Sequence, residues 1–163
     1  FLQSWKIMEQ IYKSGRAKAI GVCNCDINHL RSIIAIAEIV PMVNELECHP
    51  LLQQHKIRNY CNENKIIIIA HTPTAKMHKL IKKDPRIIEI AKRFNVSIAQ
   101  VILRWHYQLG NISIPNTTNS AHVLENLSIW EFELSDDDML IISKLDSDIR
   151  IWPDPNNCDF MKL

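Results

Sequence analysis

Four short polar clusters follow apolar stretches of the chain and carry side chains that can hold a flat, charged ligand. They are residues 23–24, with Asn24; 44–47, with Glu45; 71–74, with His71 and Thr72; and 116–119, with Asn116 and Thr117. An amide and a carboxylate can together bind a carboxamide, because that group offers both a donor and an acceptor. The His71 imidazole can stack on a flat ring. The segment 116–126 runs into a predicted helix N-terminus, which favours anions, and Lys76 adds a point charge for a phosphate.

Each of these residues also has an ordinary structural role. Asn, Thr and Ser after a strand are common in turns and caps, and for any one position alone this is the more frequent role. Glu9, Glu47 and Glu63 are expected to be solvated or paired locally, and Asp136–Asp138 to form a charged helix start favoured by the helix dipole. The prediction of a site therefore depends on the joint placement of the clusters.

Alternating elements would bring the clusters together. A helical pattern at Trp5–Tyr12 precedes four strand–helix units, and Ser97 with Gln100 and Ser135 with Asp138 form capping boxes. The run Ile66–Ala70 is typical of a strand covered on both faces. Such alternation predicts an α/β fold with a parallel sheet, either doubly wound or a β/α barrel, with ligands at the carboxyl ends of the strands. The predicted strands span 17–22, 42–48, 66–70 and 112–115.

Composition excludes several classes of function. The 163 residues are 47% hydrophobic and 23% charged, with 19 Lys and Arg against 18 Asp and Glu, so the net charge of +1 disfavours nucleic acid and anionic membranes as partners. The three glycines, Gly15, Gly21 and Gly110, lie too far apart for a dinucleotide fingerprint or a phosphate-binding loop of the Walker kind.

The cysteines and the apolar runs indicate a compartment. An odd count of five cysteines without paired spacing predicts reduced thiols in a cytoplasmic protein, and Cys23-Asn24-Cys25 lacks the spacing of a zinc site, so no metal is expected. No apolar run approaches the roughly 20 residues that span a bilayer, and no signal peptide is expected.

Short segments in a fixed order resemble motifs of the aldo-keto reductase family. Residues 43–50, Val-Asn-Glu-Leu-Glu-Cys-His-Pro, are similar to the family's Val-Asn-Gln-x-Glu-x-His-Pro. Residues 19–24 resemble its Gly-Val-Ser-Asn strand end, and residues 70–73 its Ala-Tyr-Ser-Pro. Residues 114–117 stand where it has Ile-Pro-Lys-Ser. Further similar segments are 99–105, 125–126, 132–135, and 153–155, the last resembling the tail of the microbial branch that reduces keto sugars and small aldehydes.

The resemblance implies an eight-stranded (β/α)8 TIM barrel that binds NADPH without a glycine-rich fingerprint. It begins at the helix after the family's fourth strand, so residues 1–163 would form one partial domain, the C-terminal half barrel with about four parallel strands and flanking helices. A whole barrel needs roughly 200 residues or more. The absence of an initiator Met and the start inside a helix favour a truncated chain.

The resemblance also implies residue roles at the nicotinamide end of NADPH. Asn24 matches the Asn that holds the carboxamide, with Cys23 where the family has Ser. Glu45 replaces a Gln, so it can accept from the carboxamide but cannot donate. His71 replaces the Tyr that stacks on nicotinamide, and Thr72 keeps a hydroxyl near the pyrophosphate.

At the adenosine end, the implied contacts have lost charge. Asn116 replaces the Lys, and His122 the Arg, that clamp the 2′-phosphate, so NADPH selectivity should weaken and NADH stays open as an alternative. Thr117 keeps a hydroxyl, and Glu125 and Asn126 match the adenine contacts.

No catalytic residue is expected in this chain, because the family's Asp, Tyr, Lys and His lie on its first four strands. One hypothesis is the cofactor-binding half of an NAD(P)H-dependent reductase of small carbonyl substrates. The alternative is an inactive, degenerate half barrel. The edges at 17–22 and 112–115 should be exposed and favour self-association. Trp152 is left open between lining a substrate pocket and packing.

Overall fold

The computed structural model describes residues 1–158, and a four-stranded sheet organises their fold. The strands lie side by side in chain order, and β1 and β2 are parallel, with Gly21 opposite Val43 and Cys23 opposite Glu45. Consecutive order is that of a β/α barrel, since a doubly wound sheet reverses its order at a switch point. The barrel alternative is therefore the one that the topology supports. The strands are β1 (Gly21–Cys23), β2 (Val43–Glu47), β3 (Ile67–His71) and β4 (Ile112–Ile114).

The helices follow the strands, and the local sequence explains where they begin. Asp26 accepts from the His29 N–H, and both predicted capping boxes, at Ser97 and Ser135, are formed. No helix in residues 1–158 is long and apolar enough to cross a membrane. The helices are α1 (Leu2–Lys13), α2 (Ile27–Ile34), α3 (His55–Glu63), α4 (Lys79–Lys82), α5 (Pro85–Phe94), α6 (Ile98–Gln108), α7 (Ser120–Leu127) and α8 (Asp136–Ser143), with a 3₁₀ turn at Ala75–Met77.

Several predicted boundaries are wrong. The first strand begins at Gly21 rather than at residue 17 and ends at Cys23 rather than at residue 22. Before α3, Leu52 pairs with His49 in an isolated bridge, and the 3₁₀ turn and α4 lie in the polar stretch between β3 and α5. β3 is not covered on both faces, since 45% of Ile67 is exposed while Ile68 and Ala70 are buried.

The described chain forms two compact units. The first comprises Phe1–Leu46 and Gln54–Ile69, and its core contains the buried side chains of Trp5 and Ile33. Glu9, expected to be solvated or paired locally, is buried there and is paired locally with Lys6. Its carboxylate accepts from the backbone N–H groups of Glu38 at 2.7 Å and Ile39 at 2.9 Å, and pairs with Lys6 at 3.1 Å.

The second unit comprises Glu47–Gln53 and the chain from Ala70 onward. Its core packs α5, α6 and α8 together through Ile87, Trp105, Ile142 and their apolar neighbours. Asp136–Asp138 form the acidic first turn of α8, as expected, and Asp138 is in addition buried, caps the helix through Ser135 and pairs with Arg93. A buried carboxylate needs such partners, since an isolated buried charge is strongly unfavourable.

Gly21→Ala should destabilise the first unit by about 1–3 kcal/mol, because close-packed backbone leaves no room for a side chain. A Cβ at Gly21 would lie 2.2 Å from Val43 Cγ2 and 2.6 Å from the Val43 carbonyl oxygen. Gly15→Ala is the control, since its Cβ would meet nothing within 4 Å and only the left-handed φ of +76° opposes it. Urea unfolding followed by circular dichroism measures both; an equal or smaller loss for Gly21→Ala would contradict the β1–β2 register.

Candidate functional site

In the first unit, the carboxyl ends of β1 and β2 bring three predicted site residues together. Cys23 lies opposite Glu45 in the parallel register, and the Asn24 backbone N–H donates to the Glu45 carbonyl oxygen at 2.7 Å. Asn24 has a left-handed φ of 52°, a conformation that Asn tolerates better than most residues. The turn after β1 therefore holds an amide next to the end of the strand that carries a carboxylate.

A buried amide fixes this turn. The Asn44 side chain is fully buried, donates to the Cys25 carbonyl oxygen at 2.8 Å and accepts from the Cys25 N–H at 3.4 Å. Both interactions hold the backbone directly after Asn24. Sequence reasoning did not assign this role, although Asn44 lies on the same face of β2 as the buried Leu46, where a polar side chain needs a hydrogen-bond partner.

The thiols near this turn are protonated at neutral pH. Partial burial and the negative charge of Glu45 raise the pKa of Cys23, and burial raises the pKa of Cys61 to about 11. Because the thiolate is the reactive form, neither residue is an activated nucleophile. All five cysteines are free, and no group of three or more His, Cys, Asp or Glu side chains in residues 1–158 could hold a metal ion.

In the second unit, the segment after β3 carries three further predicted site residues. His71 is half-buried, and its Nδ1 lies 3.3 Å from the Thr72 hydroxyl oxygen. Lys76 is exposed. Thr72, Ala75, Lys76 and Met77 all have φ near +50°. Non-glycine residues in this region are strained, and such strain clusters at functional sites.

The C-terminal tail reaches the same segment. The Trp152 indole Nε1–H donates to the Thr72 hydroxyl at 2.8 Å, and the Lys76 Nζ lies 3.8 Å from the centroid of the Trp152 ring. This placement puts the indole directly on two side chains that are predicted to bind a ligand. No local sequence pattern connects residues 80 positions apart.

A buried carboxylate anchors that tail. Glu47 is 2% exposed, so of the two roles expected for it, solvation or local pairing, it has the second, with His49 as its local partner. It accepts from the backbone N–H groups of Ile151 at 2.6 Å and Trp152 at 3.3 Å, and lies 3.0 Å from His49 Nε2. Burial raises the pKa of Glu47, but the hydrogen bonds from His49, Ile151 and Trp152 outweigh it and hold that pKa below its ordinary value.

The remaining predicted residues lie around the start of α7. The Thr117 hydroxyl accepts from the Asn119 N–H at 3.1 Å and lies 3.4 Å from His122 Nδ1. Asn116 and His122 are exposed, and Glu125 and Asn126 are half-buried. The structure thus brings Thr117 and His122 together, with Asn116 directly before them in the chain.

Comparison with known proteins identifies the family. The model of the aldo/keto reductase family matches residues 1–147. The chain belongs to the aldo/keto reductase family. An alignment with the uncharacterized oxidoreductase YtbE of Bacillus subtilis covers 98% of this chain and shows 42% identity over 160 residues. An alignment with the glyoxal reductase of the same organism also covers 98% of this chain and shows 39% identity.

Solved structures of aldo-keto reductases have the same fold. The chain superposes on Gox0644 in its apo form with a TM-score of 0.92 at 38% identity, and on a Gox0644 mutant in complex with NADPH with a TM-score of 0.92 at 37% identity. The expected α/β fold with four parallel strands and flanking helices is confirmed. The chain spans 56–57% of the two Bacillus relatives and 58–59% of the Gox0644 chains, which is consistent with a partial barrel.

Glu47→Gln should destabilise the second unit at neutral pH by about 1–3 kcal/mol, because an amide cannot accept all the hydrogen bonds that the carboxylate receives. A carboxyl whose pKa is lowered on folding contributes stability above its unfolded pKa and loses it as pH falls through the folded value. The stability difference between wild type and Glu47→Gln should therefore shrink between about pH 5 and pH 3.

Urea midpoints measured across this pH range test the prediction. Glu63→Gln, an exposed position of the first unit, controls for the loss of one carboxylate. A difference between wild type and Glu47→Gln that stays constant with pH would show that the Glu47 charge does not stabilise the fold.

Proposed function

We propose that this chain supplies contacts to NADPH in an aldo-keto reductase that reduces small carbonyl compounds. The observation that carries the proposal is the pairing of Asn24 with Glu45 at the carboxyl ends of β1 and β2. Relatives support it: one at 39% identity is a glyoxal reductase of Bacillus subtilis, and one at 33% identity is the methylglyoxal reductase DkgA of Escherichia coli. The related Gox0644 mutant was solved in complex with NADPH.

The residues of the first unit fit a nicotinamide carboxamide. The Asn24 side chain offers one acceptor oxygen and an amide donor, and the Glu45 carboxylate accepts. A carboxamide NH₂ can therefore donate to Glu45 while its oxygen accepts from Asn24. The protonated Cys23 thiol adds no charge beside them, because partial burial and Glu45 raise its pKa. The Asn44 contacts to Cys25 would keep Asn24 in place for this role.

The residues of the second unit fit the phosphates and the ring. Thr72 offers a hydroxyl and Lys76 an ammonium group to the diphosphate, and the half-buried His71 imidazole offers a flat face for stacking. Thr117, Glu125 and Asn126 would contact the adenosine end. Asn116 and His122 stand in for two cations, so we propose a weakened 2′-phosphate clamp that leaves NADH as a second cofactor.

We assign no catalytic residue to this chain. NADPH supplies the hydride when it is bound, and the residues named above would bind and orient it. The competing hypothesis is a degenerate half barrel without activity, which the residue types at Glu45, His71, Asn116 and His122 favour. The sequence that precedes Phe1 in the gene discriminates the two: strands carrying Asp, Tyr, Lys and His in family order support the reductase. The free thiols are consistent with our proposal of a cytoplasmic protein.

We further propose that the chain associates with itself through the exposed sheet edge at β4, and that the exposed leucines of α7 contribute to this interface. Ile112 and Ile114 of β4 are each 45% exposed, and Leu124 and Leu127 of α7 are 68% and 63% exposed. The edge of a sheet and exposed apolar side chains each favour pairing with another chain. Sedimentation of the chain should show dimers or larger species that Leu124→Glu with Leu127→Glu dissociates; a monomer at all concentrations would contradict the proposal.

Restoring the two cations should tighten NADPH. Asn116→Lys with His122→Arg should lower the Kd for NADPH about tenfold or more and leave the Kd for NADH unchanged, because only NADPH carries the 2′-phosphate. Fluorescence titration of each cofactor measures the effect. Asn62→Lys with Asn64→Arg, at the end of α3 in the first unit, adds the same net charge as a control.

Two outcomes would count against the assignment of this clamp. One is an unchanged NADPH affinity in the Asn116→Lys with His122→Arg variant. The other is a strong preference of the unmodified protein for NADPH over NADH. Absence of binding of either cofactor to the unmodified protein would overturn the proposed cofactor function itself.

A further inference from the structure

The C-terminal tail places one aromatic side chain on two side chains that we assign to phosphate binding. We propose that Trp152 is a positioning residue that holds the Thr72 hydroxyl and the Lys76 ammonium group as a preformed site for a diphosphate. The identity of that diphosphate as part of NADPH rests on the proposed function above. The site itself rests on the contacts among these three side chains and on the anchoring of the tail.

The tail is held where it is by buried groups. The Glu47 carboxylate accepts from the N–H groups of Ile151 and Trp152, and the side chain of Glu47 is 2% exposed. The Arg150 guanidinium pairs with both acidic neighbours: its Nη1 lies 3.9 Å from Glu47 Oε2, and its Nη2 lies 3.8 Å from Asp154 Oδ1. Because a buried carboxylate loses much free energy without its donors, the backbone at Trp152 has little freedom to move.

The indole determines which way the Thr72 hydroxyl donates. The Thr72 oxygen accepts from Trp152 Nε1–H at 2.8 Å, so its own proton must point elsewhere. In this structure Nδ1 of His71, at 3.3 Å, can receive it. An anion that approaches Thr72 would find a hydroxyl already turned into a donor.

The indole also fixes the Lys76 ammonium without neutralising it. Lys76 Nζ lies 3.8 Å from the Trp152 ring centroid, within the range of a cation–π contact. Lys76 forms no ion pair with a carboxylate in residues 1–158. A ring face attracts the cation but leaves its N–H donors on the far side available to phosphate oxygens. The flexible lysine chain is thereby confined before any anion arrives.

Burial does not explain these contacts. Trp152 is 47% exposed, so the indole is not a core residue whose position follows from packing alone. Two polar contacts to Thr72 and Lys76 specify its orientation instead. The alternative, in which the indole blocks the two side chains from a ligand, predicts the opposite effect of removing it.

Calorimetric titration of the 163-residue chain with inorganic diphosphate, and separately with NADPH, tests the proposal. Trp152→Ala should raise both Kd values about five- to tenfold, and Trp152→Phe, which keeps the ring face but loses the N–H, should give an intermediate loss. In a Lys76→Met, Thr72→Val background, Trp152→Ala should have no further effect. Trp130→Ala is the control, because Trp130 is similarly exposed and packs on Tyr107.

Two results would overturn the positioning role. One is unchanged or tighter diphosphate binding by Trp152→Ala, and the other is an equal loss of diphosphate affinity when Trp152→Ala is made in the background that lacks Lys76 and Thr72. Circular dichroism measures whether each variant is folded. If Trp152→Ala does not fold, the affinity of Trp152→Phe for diphosphate tests the same role. Diphosphate binding that depends on Trp152 in a chain that does not bind NADPH would retain the anion site and refute the proposed cofactor function instead.

Discussion

The burial of one carboxylate, that of Glu47, fixes the position of the C-terminal tail in the second unit. A carboxylate at 2% exposure is tolerated only with full hydrogen bonding. His49 supplies part of it from two residues away, and the backbone of Ile151 and Trp152 supplies the rest from the far end of the chain. These two backbone N–H groups hold the tail in place, since the buried carboxylate is strongly destabilised without them. Its indole reaches Thr72 and Lys76 as a consequence of that anchoring.

Asn44 has the corresponding role in the first unit. Its side-chain amide forms hydrogen bonds with the backbone N–H and carbonyl oxygen of Cys25, and these bonds fix the turn that carries Asn24. In both units a buried polar residue of β2 or its end holds a segment that bears proposed ligand contacts. The common principle is that buried polar groups must be paired, and their partners become rigid in return.

Local rules predicted much of this fold. The two capping boxes follow from residues within one helical turn, and the carboxyl ends of the strands follow from apolar runs. The distant partners of Glu9 and Asp138, the Glu38 backbone and Arg93, were missed because they lie 29 and 45 residues away, where no periodicity connects them. The contact between Thr72 and Trp152 was missed for the same reason. The exposure of Ile67 was also missed, because a continuous apolar run indicates a strand but does not show whether both of its faces are covered.

Perturbation of backbone amide resonances by NADPH, measured by nuclear magnetic resonance, tests most directly whether the strand-end residues contact this cofactor. We expect saturable shifts at Asn24, Glu45, Thr72, Lys76 and Thr117, with the resonances of α5 unchanged. Shifts confined to other segments, or none at high NADPH concentration, would contradict the proposed contacts.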